Sequence, residues 1–343
     1  MEIDARIRRT VGDIIAARNG MPPKDLNLER NSRSSFGGAE AAGLAVVTAR
    51  YRNRLDRPEM RRMVVKRLVG RPAREAAVYE RLVAIHVPGM APELLAVEND
   101  GPDSAIIFME AVRRVNAWPW ADASNTAEML TRLGRFHRSL DKKDVALPEW
   151  DYEAELAAMA EATVSALDQC RGHPELGVLT RHMGRLERLQ AALPGLRRQL
   201  LSEEPFGCRP IHGDLHPGNA LVRRRDGTHQ PVLIDWGRAR VGSPLEDVSS
   251  WLQCLRFWDA GAQRVHDRLF HDYLSAFGMP RRLTDDIRAA YWIAGASNTL
   301  AGALLYNLSI ALDPGQGKAR RETAFNVARD WLRIVRRAHA WTM

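Results

Sequence analysis

The sequence predicts an α+β protein with two lobes: a small β-rich N-terminal lobe at residues 1–112 and a larger, mainly helical C-terminal lobe at residues 113–343. Three observations support this prediction. The chain has 343 residues, which is more than one hydrophobic core usually serves. Runs typical of strands fall within the first 112 residues. From Thr126 onward, apolar residues recur at helical spacing.

The composition is that of an ordinary globular protein, with 45% hydrophobic and 27% charged residues. Cys170, Cys208 and Cys254 are widely spaced and form no Cys-x-x-Cys pair, so we expect neither a disulfide framework nor a zinc site. The N-terminal residues include acidic side chains and no apolar signal core, and no uninterrupted apolar stretch is long enough for a membrane span. We therefore expect a cytoplasmic protein with no membrane partner.

The net charge of +8 raises the possibility of a nucleic-acid binder. Against it, the arginines are spread along the chain from Arg8-Arg9 to Arg336-Arg337, and no helix-turn-helix, finger or RNA-binding signature accompanies them. A dispersed, solvated surface explains this charge better, so we expect no nucleic-acid partner.

The first elements follow from periodicity. Residues 2–19 have the apolar spacing of a helix that Gly20 stops. Leu26–Leu28 alternates as a strand does, and Leu44–Tyr51 is strongly strand-like. The small residues Ser35, Gly37 and Gly38 predict a flexible turn between these strands. An ordinary β-hairpin explains this unit as well as a nucleotide-binding loop does.

Met63–Leu68 is the next predicted strand, and it contains Lys66. The chain has only five lysines, so a lysine inside an apolar strand is unusual. A compact ammonium group suits the phosphate oxygens of a nucleotide. The alternative is a strand residue whose amine reaches solvent. Pro72–Ile85 predicts a helix that begins with proline, and Ser104–Val112 predicts a buried strand.

Helices dominate the rest of the chain. Thr126–Leu140 carries a stripe of apolar residues that includes His137, which we expect to be a satisfied interior histidine. Two further helical stretches follow at residues 152–170 and 176–201, with Pro194 as an interruption. Another helix begins at Pro244.

Two segments carry the candidate chemistry. Residues 211–219 read Ile-His-Gly-Asp-Leu-His-Pro-Gly-Asn, and residues 231–237 read Pro-Val-Leu-Ile-Asp-Trp-Gly. Asp214, Asn219 and Asp235 lie at the ends of short apolar runs, and their oxygen atoms suit a hard cation such as Mg²⁺. An aspartate beside glycine is often only a turn residue, but three such residues in this context favour a functional site.

With this spacing, the two segments resemble the catalytic and metal loops of protein-kinase-like phosphotransferases. His212-Gly213-Asp214 replaces His-Arg-Asp, His216 is an additional histidine, and Asp235-Trp236-Gly237 replaces Asp-Phe-Gly. With these departures, the two motifs resemble those of the aminoglycoside phosphotransferase and choline kinase family, which phosphorylates small molecules. The resemblance implies a bilobal protein-kinase-like fold and a small-molecule kinase that uses Mg²⁺, with ATP or GTP as phosphoryl donor.

The resemblance also implies roles for individual residues. Asp214 would take the proton of the acceptor hydroxyl, and Asn219 and Asp235 would bind Mg²⁺. Lys66 would hold the nucleotide phosphates and pair with Glu75, although Glu75 could instead only complement its helix dipole. The remaining implied positions are the phosphate-covering residues Ser35, Gly37 and Gly38, the adenine-binding main chain near Glu110 and Val112, the loop brace Asp247, and the orienting histidines His212 and His216.

The resemblance leaves the acceptor open between an antibiotic, which we favour by family association, and a metabolic amino alcohol or sugar. A non-catalytic nucleotide-binding regulator is the alternative of another class. Such a protein would lack the lysine, the catalytic aspartate, the asparagine or the metal aspartate, and all four are present. A protein kinase is disfavoured because no segment ending in Ala-Pro-Glu follows Gly237.

Overall fold

The structure is a computed structural model that describes residues 1–31, 42–101, 103–259, 261–280 and 283–342. Its contacts divide the chain into two compact units. The first, N-terminal unit comprises Met1–Pro119, Ala146–Pro148 and Ala220–Ala239. The second, C-terminal unit comprises Trp120–Val145, Glu149–Asn219 and Arg240–Met343.

The N-terminal unit is built on a five-stranded antiparallel sheet in the order β1-β2-β3-β5-β4. Its strands are β1 (Lys24–Arg30), β2 (Gly43–Arg52), β3 (Pro58–Val69), β4 (Leu94–Asn99) and β5 (Ser104–Glu110). The strands predicted around Leu28, Val47, Lys66 and Phe108 are therefore confirmed. Lys66 lies in the middle of this sheet, between β2 and β5.

Helix α1 (Ala5–Asn19) belongs to the same unit. It begins after Asp4, whose side chain accepts a hydrogen bond from the Ile7 amide at 2.9 Å, and it ends at Gly20 in the left-handed conformation with φ of 76°. Its apolar stripe shares one buried cluster with the sheet residues Val47 and Phe108. The predicted helix over residues 2–19 is confirmed.

The helix predicted over Pro72–Ile85 is present but not uniform. A 3₁₀ turn (Arg71–Ala73) leads into α2 (Arg74–Val78), a π-helical turn (Tyr79–Val83) and α3 (Ala84–His86). Apolar spacing indicates a helix but does not show where one turn widens.

The hairpin of β7 (Ala220–Arg225) and β8 (Thr228–Leu233) also packs in the N-terminal unit. Arg223 donates two hydrogen bonds to the Glu110 carboxylate at 2.8 and 2.9 Å, and the Leu233 amide donates to the Met90 carbonyl at 2.7 Å. For this reason the division by contacts differs from the predicted boundary after Val112.

The C-terminal unit is mainly helical. Its helices are α4 (Ala123–Ser139), α5 (Tyr152–Gln169), α6 (Met183–Ser202), α7 (Pro244–Trp258), α8 (Ala262–Phe277), α9 (Asp285–Asn298), α10 (Leu304–Leu312) and α11 (Lys318–Thr342). The short strands β6 (Arg209–Ile211) and β9 (Arg240–Gly242) pair beside them. The main core of this unit joins buried side chains of α5, α6, α9, α10 and α11. The predicted α+β class is confirmed.

The expected interruption at Pro194 is wrong, because α6 continues through this residue. A proline removes one backbone hydrogen bond from a helix interior. Leu189, Leu193 and Leu200 are at most 3% exposed on both sides of it, and their packing holds the helix together. In the part of the chain that the structure describes, no helix has both the length and the apolar character of a membrane span.

Candidate active site

Lys66 on β3 is held between two carboxylates of the N-terminal unit. Its Nζ atom donates to Glu75 Oε2 and to Asp235 Oδ1, both at 2.6 Å. Lys66 is 8% exposed and Glu75 is 2% exposed, whereas the Asp235 side chain is 45% exposed. The predicted pairing of Lys66 with Glu75 is confirmed, and the structure adds Asp235 as a second partner.

The charge of Lys66 follows from these neighbours. Burial lowers the pKa of the Lys66 ammonium, but the negative charges of Glu75 and Asp235 outweigh burial, so its pKa is raised. Lys66 is therefore a fixed cation at neutral pH. A buried cation of this kind offers a compact charge to an anionic ligand.

The Asp235-Trp236-Gly237 segment is fixed by contacts on both of its sides. Trp236 is fully buried and donates from Nε1 to the Leu233 carbonyl at 3.2 Å. Arg74 donates to the Gly237 carbonyl at 2.6 Å. Asp235 has φ of 64° and ψ of 63°, a left-handed conformation that is uncommon outside glycine. Such strained positions cluster at functional sites, and this one sets the direction of the Asp235 side chain.

Asp214 and Asn219 meet in the loop that follows β6. Asn219 Nδ2 donates to the Asp214 carbonyl at 2.9 Å and to Asp214 Oδ2 at 3.2 Å. Asn219 is 8% exposed and Asp214 is half-buried. The Asp214 carboxylate is therefore oriented by the asparagine and still reachable.

Both histidines of this loop act on its backbone. His212 Nδ1 accepts a hydrogen bond from the Asp214 amide at 3.3 Å, and His216 Nδ1 accepts one from the Gly218 amide at 3.0 Å. Gly213 has φ of 80°, which glycine adopts without strain. These contacts support the prediction that the histidines orient the loop.

Asp247, near the start of α7, braces the same loop. Its carboxylate accepts hydrogen bonds from the His212 amide at 2.7 Å and the Gly213 amide at 2.9 Å. Its third partner is His137 Nε2 at 3.2 Å, and His137 Nδ1 contacts the Tyr273 hydroxyl at 3.1 Å. The predicted brace at Asp247 and the predicted interior role of His137 are both confirmed.

The pKa of the Asp247 carboxyl is lowered despite complete burial. Burial raises this pKa, but the hydrogen bond with His137, the electrostatic attraction of the His137 and His212 rings, and the bond from the Gly213 amide together outweigh burial. Asp247 is therefore ionised at neutral pH, which strengthens its bonds to the two loop amides.

Sequence reasoning missed several residues that hold these loops. Arg240 donates to the Gly213 carbonyl at 3.0 Å and pairs with Glu246 at 2.6 Å. Arg197, 1% exposed, also pairs with Glu246 and contacts Glu153 at 2.8 Å. Arginine is abundant and scattered in this sequence, so no spacing pattern could have distinguished these residues.

Cys254 on α7 is a further neighbour of the loop. Burial and the negative charge of Asp214 raise the pKa of its thiol to about 12. The thiol is therefore protonated at neutral pH, which excludes a reactive thiolate at this position.

The predicted metal ligands, Asn219 and Asp235, both carry oxygen donors. The Asn219 amide nitrogen is bonded to Asp214, which leaves the Asn219 oxygen for a cation. Among the residues that the structure describes, no three His, Cys, Asp or Glu side chains form a metal-binding group. Mg²⁺ is usually bound through one or two carboxylates together with substrate phosphates, and the oxygen donors of Asp235 and of Asn219, each taken by itself, are of the kind that this ion prefers.

The predicted nucleotide-binding residues other than Lys66 and Glu75 include two that the structure describes, Glu110 and Val112. Glu110 ends β5, where its amide donates to the Glu93 carbonyl at 2.9 Å and its carboxylate pairs with Arg223. Val112 follows the strand and is half-buried. Ser35, Gly37 and Gly38 lie outside the described residues.

The chain matches the model of the APH phosphotransferase enzyme family over residues 38–284. A comparison with curated proteins found no match.

Several solved structures have a similar fold. Choline kinase from Cryptosporidium parvum Iowa II is 11% identical, with 90% of this chain and 88% of that chain covered and a TM-score of 0.58. A spectinomycin phosphotransferase, crystallised with ADP and spectinomycin, is 13% identical, with 97% and 98% covered and a TM-score of 0.56. Ethanolamine kinase from Plasmodium vivax is 9% identical, with 89% and 81% covered and a TM-score of 0.53. The predicted protein-kinase-like fold is confirmed.

Proposed function

Because the chain belongs to the APH phosphotransferase enzyme family and is a small-molecule kinase, we propose that it moves the γ-phosphoryl group of ATP or GTP to a hydroxyl group of a small molecule. The observation that carries this proposal is the buried Lys66 ammonium between Glu75 and Asp235, since phosphoryl transfer depends mainly on positioned charge.

In this proposal Lys66 contacts the α- and β-phosphates of the nucleotide, and Glu75 keeps the ammonium in place. Asp235 and Asn219 would hold Mg²⁺, which would neutralise phosphate charge when bound. Main-chain groups near Glu110 and Val112 are assigned to the adenine.

The small-residue segment with Ser35, Gly37 and Gly38 is assigned to covering the phosphates. Backbone amides in such a turn accept anions readily.

Asp214 is the proposed catalytic base. It accepts a hydrogen bond from the acceptor hydroxyl, whose oxygen forms the new bond to the γ-phosphorus while the bond from that phosphorus to the bridging oxygen breaks. The hydroxyl proton ends on the Asp214 carboxylate, and the nucleoside diphosphate leaves. A carboxylate is a sufficient base because the hydroxyl becomes acidic only late in such a loose transition state. The half-buried position of Asp214 and its bond from Asn219 support this role.

For the acceptor we propose an antibiotic hydroxyl first and a metabolic amino alcohol second. The fold similarity to a spectinomycin phosphotransferase supports the first, and the similarity to choline and ethanolamine kinases supports the second. Fold similarity does not choose between acceptors, so this choice needs a direct assay.

The experiment is a transfer assay with purified protein, Mg²⁺, ATP or GTP, and a pooled panel of hydroxyl-bearing antibiotics, amino alcohols and sugars. Mass spectrometry should show one acceptor that gains a single phosphoryl group, at a rate above nucleotide hydrolysis. If no nucleotide binds, the proposed function is refuted. If nucleotide binds and no acceptor reacts, a non-catalytic regulator becomes the better explanation.

Two variants test the assigned roles. Asp214→Ala should keep nucleotide binding and lose nearly all transfer, whereas Asp235→Ala should also lose Mg²⁺-dependent nucleotide binding. Asp168→Ala is the matched control, because Asp168 is an exposed aspartate on α5. Equal loss of nucleotide binding in Asp214→Ala and Asp235→Ala would contradict the assignment.

A further inference from the structure

Arginines from three parts of the C-terminal unit surround one cavity of about 390 Å³. The cavity lies where α11 meets the segment before α6, the end of α7 and the start of α8. Six arginines line it, together with His182 and Gln263: Arg181, Arg256, Arg329, Arg333, Arg336 and Arg337. Among the residues that the structure describes, no carboxylate lines it. Its volume is in the range of small-molecule sites.

The positive charge of this arginine cavity is largely uncompensated. Within the described ranges of the chain, only Arg333 among the six has a carboxylate partner, Asp330 at 2.7 Å. The Arg337 guanidinium lies 5.2 Å from the centre of the Trp292 ring, which positions the group without neutralising it. Like charges on neighbouring turns of a helix repel, so an anion in the cavity would relieve an unfavourable arrangement.

His182 provides an independent sign of a missing ligand. It is 7% exposed and lines the cavity. Its Nε2 atom accepts a hydrogen bond from Arg181 Nε at 3.3 Å, because arginine is always protonated and must be the donor. The hydrogen of the neutral ring is therefore on Nδ1, a buried atom with no hydrogen-bond partner among the described residues. Buried donors nearly always have an acceptor.

The ring is neutral for a physical reason. Burial lowers the pKa of His182, and the charges of Arg181, Arg185 and Arg336 lower it further. The histidine thus lies in the concentrated positive potential that the arginines create. A bound anion would reverse this effect and raise the pKa.

We propose that the arginine cavity binds a small molecule that carries a phosphate or a comparable multiply charged oxyanion group. Guanidinium groups pair with phosphate through two parallel hydrogen bonds, and several such groups converge on the cavity. An oxyanion also supplies the acceptor that the His182 N–H lacks. A concave pocket lined by residues of four segments favours a small molecule over a polymer, which an extended arginine stripe would suit better.

This site is distinct from the proposed nucleotide site, whose Lys66 and Asp235 belong to the N-terminal unit. The inference does not depend on the proposed function. It concerns residues that the proposed phosphoryl transfer leaves without a role.

Isothermal titration calorimetry with pyrophosphate at constant ionic strength tests the proposal. The variant Arg333→Gln/Arg336→Gln removes two charges from the cavity. The matched control, Lys318→Gln/Arg320→Gln, removes two charges from exposed positions in the first turn of the same helix. Wild-type protein and the control should bind pyrophosphate equally, and the cavity variant should bind about tenfold more weakly or worse.

A second measurement does not depend on the variants. Proton–nitrogen NMR spectra of the wild-type protein should show the His182 ring and the cavity arginine Nε–H groups shifting as pyrophosphate is added. The apparent pKa of His182 should rise in the bound state.

Three results would overturn the proposal. One is the absence of saturable pyrophosphate binding together with unchanged NMR signals at His182. Another is an equal loss of affinity in the cavity variant and its control, which would indicate a general charge effect. The third is saturable binding of duplex DNA that pyrophosphate does not displace, which would show a polymer-binding surface.

Discussion

Replacing Asp247 with asparagine removes one buried charge and preserves the shape of the side chain. The carboxylate is 1% exposed and binds the amides of His212 and Gly213 through its two oxygens. Asparagine has one oxygen, so one of these amides would face an amide nitrogen instead. Loss of a charge-assisted bond and an unsatisfied donor together cost about 2–4 kcal/mol. For a unit of this size, that corresponds to a fall of roughly 4–16 °C in Tm.

The same substitution predicts a pH dependence with a defined sign. Burial raises the pKa of Asp247, but His137, His212 and the Gly213 amide lower it below its usual value. A carboxyl whose pKa is lower in the folded state than in the unfolded state stabilises the fold at pH values above its unfolded pKa of about 3.9. That stabilisation is lost as the pH falls through the pKa of the carboxyl in the folded state. The difference in Tm between wild type and Asp247→Asn should therefore be largest at neutral pH and should shrink as the pH falls below the unfolded pKa of about 3.9.

Thermal unfolding followed by circular dichroism, at neutral and acidic pH, measures both effects. Asp168→Asn is the control, because it removes an exposed charge whose partner is the neighbouring Arg171. An unchanged Tm at neutral pH would refute the bracing role of Asp247. A difference that stays constant on acidification would show that ionisation of Asp247 contributes nothing to it.

Four further expectations concern the charges and the packing of individual side chains. Glu75→Gln removes one of two carboxylates from the strand lysine and should raise the nucleotide Kd about tenfold to a hundredfold in a binding titration, while exposed Glu80→Gln should change it little. Gly134→Ala places a Cβ 2.7 Å from a carbonyl oxygen of α8. It should lower the free energy of unfolding, measured with urea, by about 1–3 kcal/mol. In Gly12→Ala the nearest contact of the added Cβ is at 3.7 Å, so this variant should raise the free energy of unfolding by up to about 1 kcal/mol. Equal changes in the two glycine variants would contradict the packing argument. The Cys254 thiol, with a pKa of about 12, should resist iodoacetamide at about pH 8 until the protein unfolds, as peptide mass mapping can show.

The parts of the site that the sequence predicts are those in which spacing and chemistry agree. The lysine inside an apolar strand was unusual by itself, and the family resemblance implied the pairing of Lys66 with Glu75 that the structure contains. The aspartate at 247 was expected to brace the loop at 212–219, and two backbone amides bind it. Both roles were implied by the family resemblance, which itself depends on the motifs at residues 211–219 and 231–237.

The parts that the sequence does not predict depend on tertiary contacts. Arg74 and Arg240 hold the carbonyls of Gly237 and Gly213, yet neither belongs to a motif. The low helix propensity of proline predicted an interruption at Pro194. The helix is continuous there because the flanking leucines pack in the core. The sequence also does not predict the acceptor, because none of its motifs identifies residues that would bind one.

The peptide groups around Gly213 are held from two sides of the same unit. Asp247 on α7 binds the amides of His212 and Gly213, and Arg240 on β9 binds the Gly213 carbonyl. Both anchors belong to buried elements, so the loop cannot open by a local fluctuation that leaves the core intact. The amide hydrogens of His212 and Gly213 should then exchange with solvent as slowly as those of the C-terminal core. The candidate catalytic loop is in this sense a part of the folding unit, and its shape should persist until that unit unfolds.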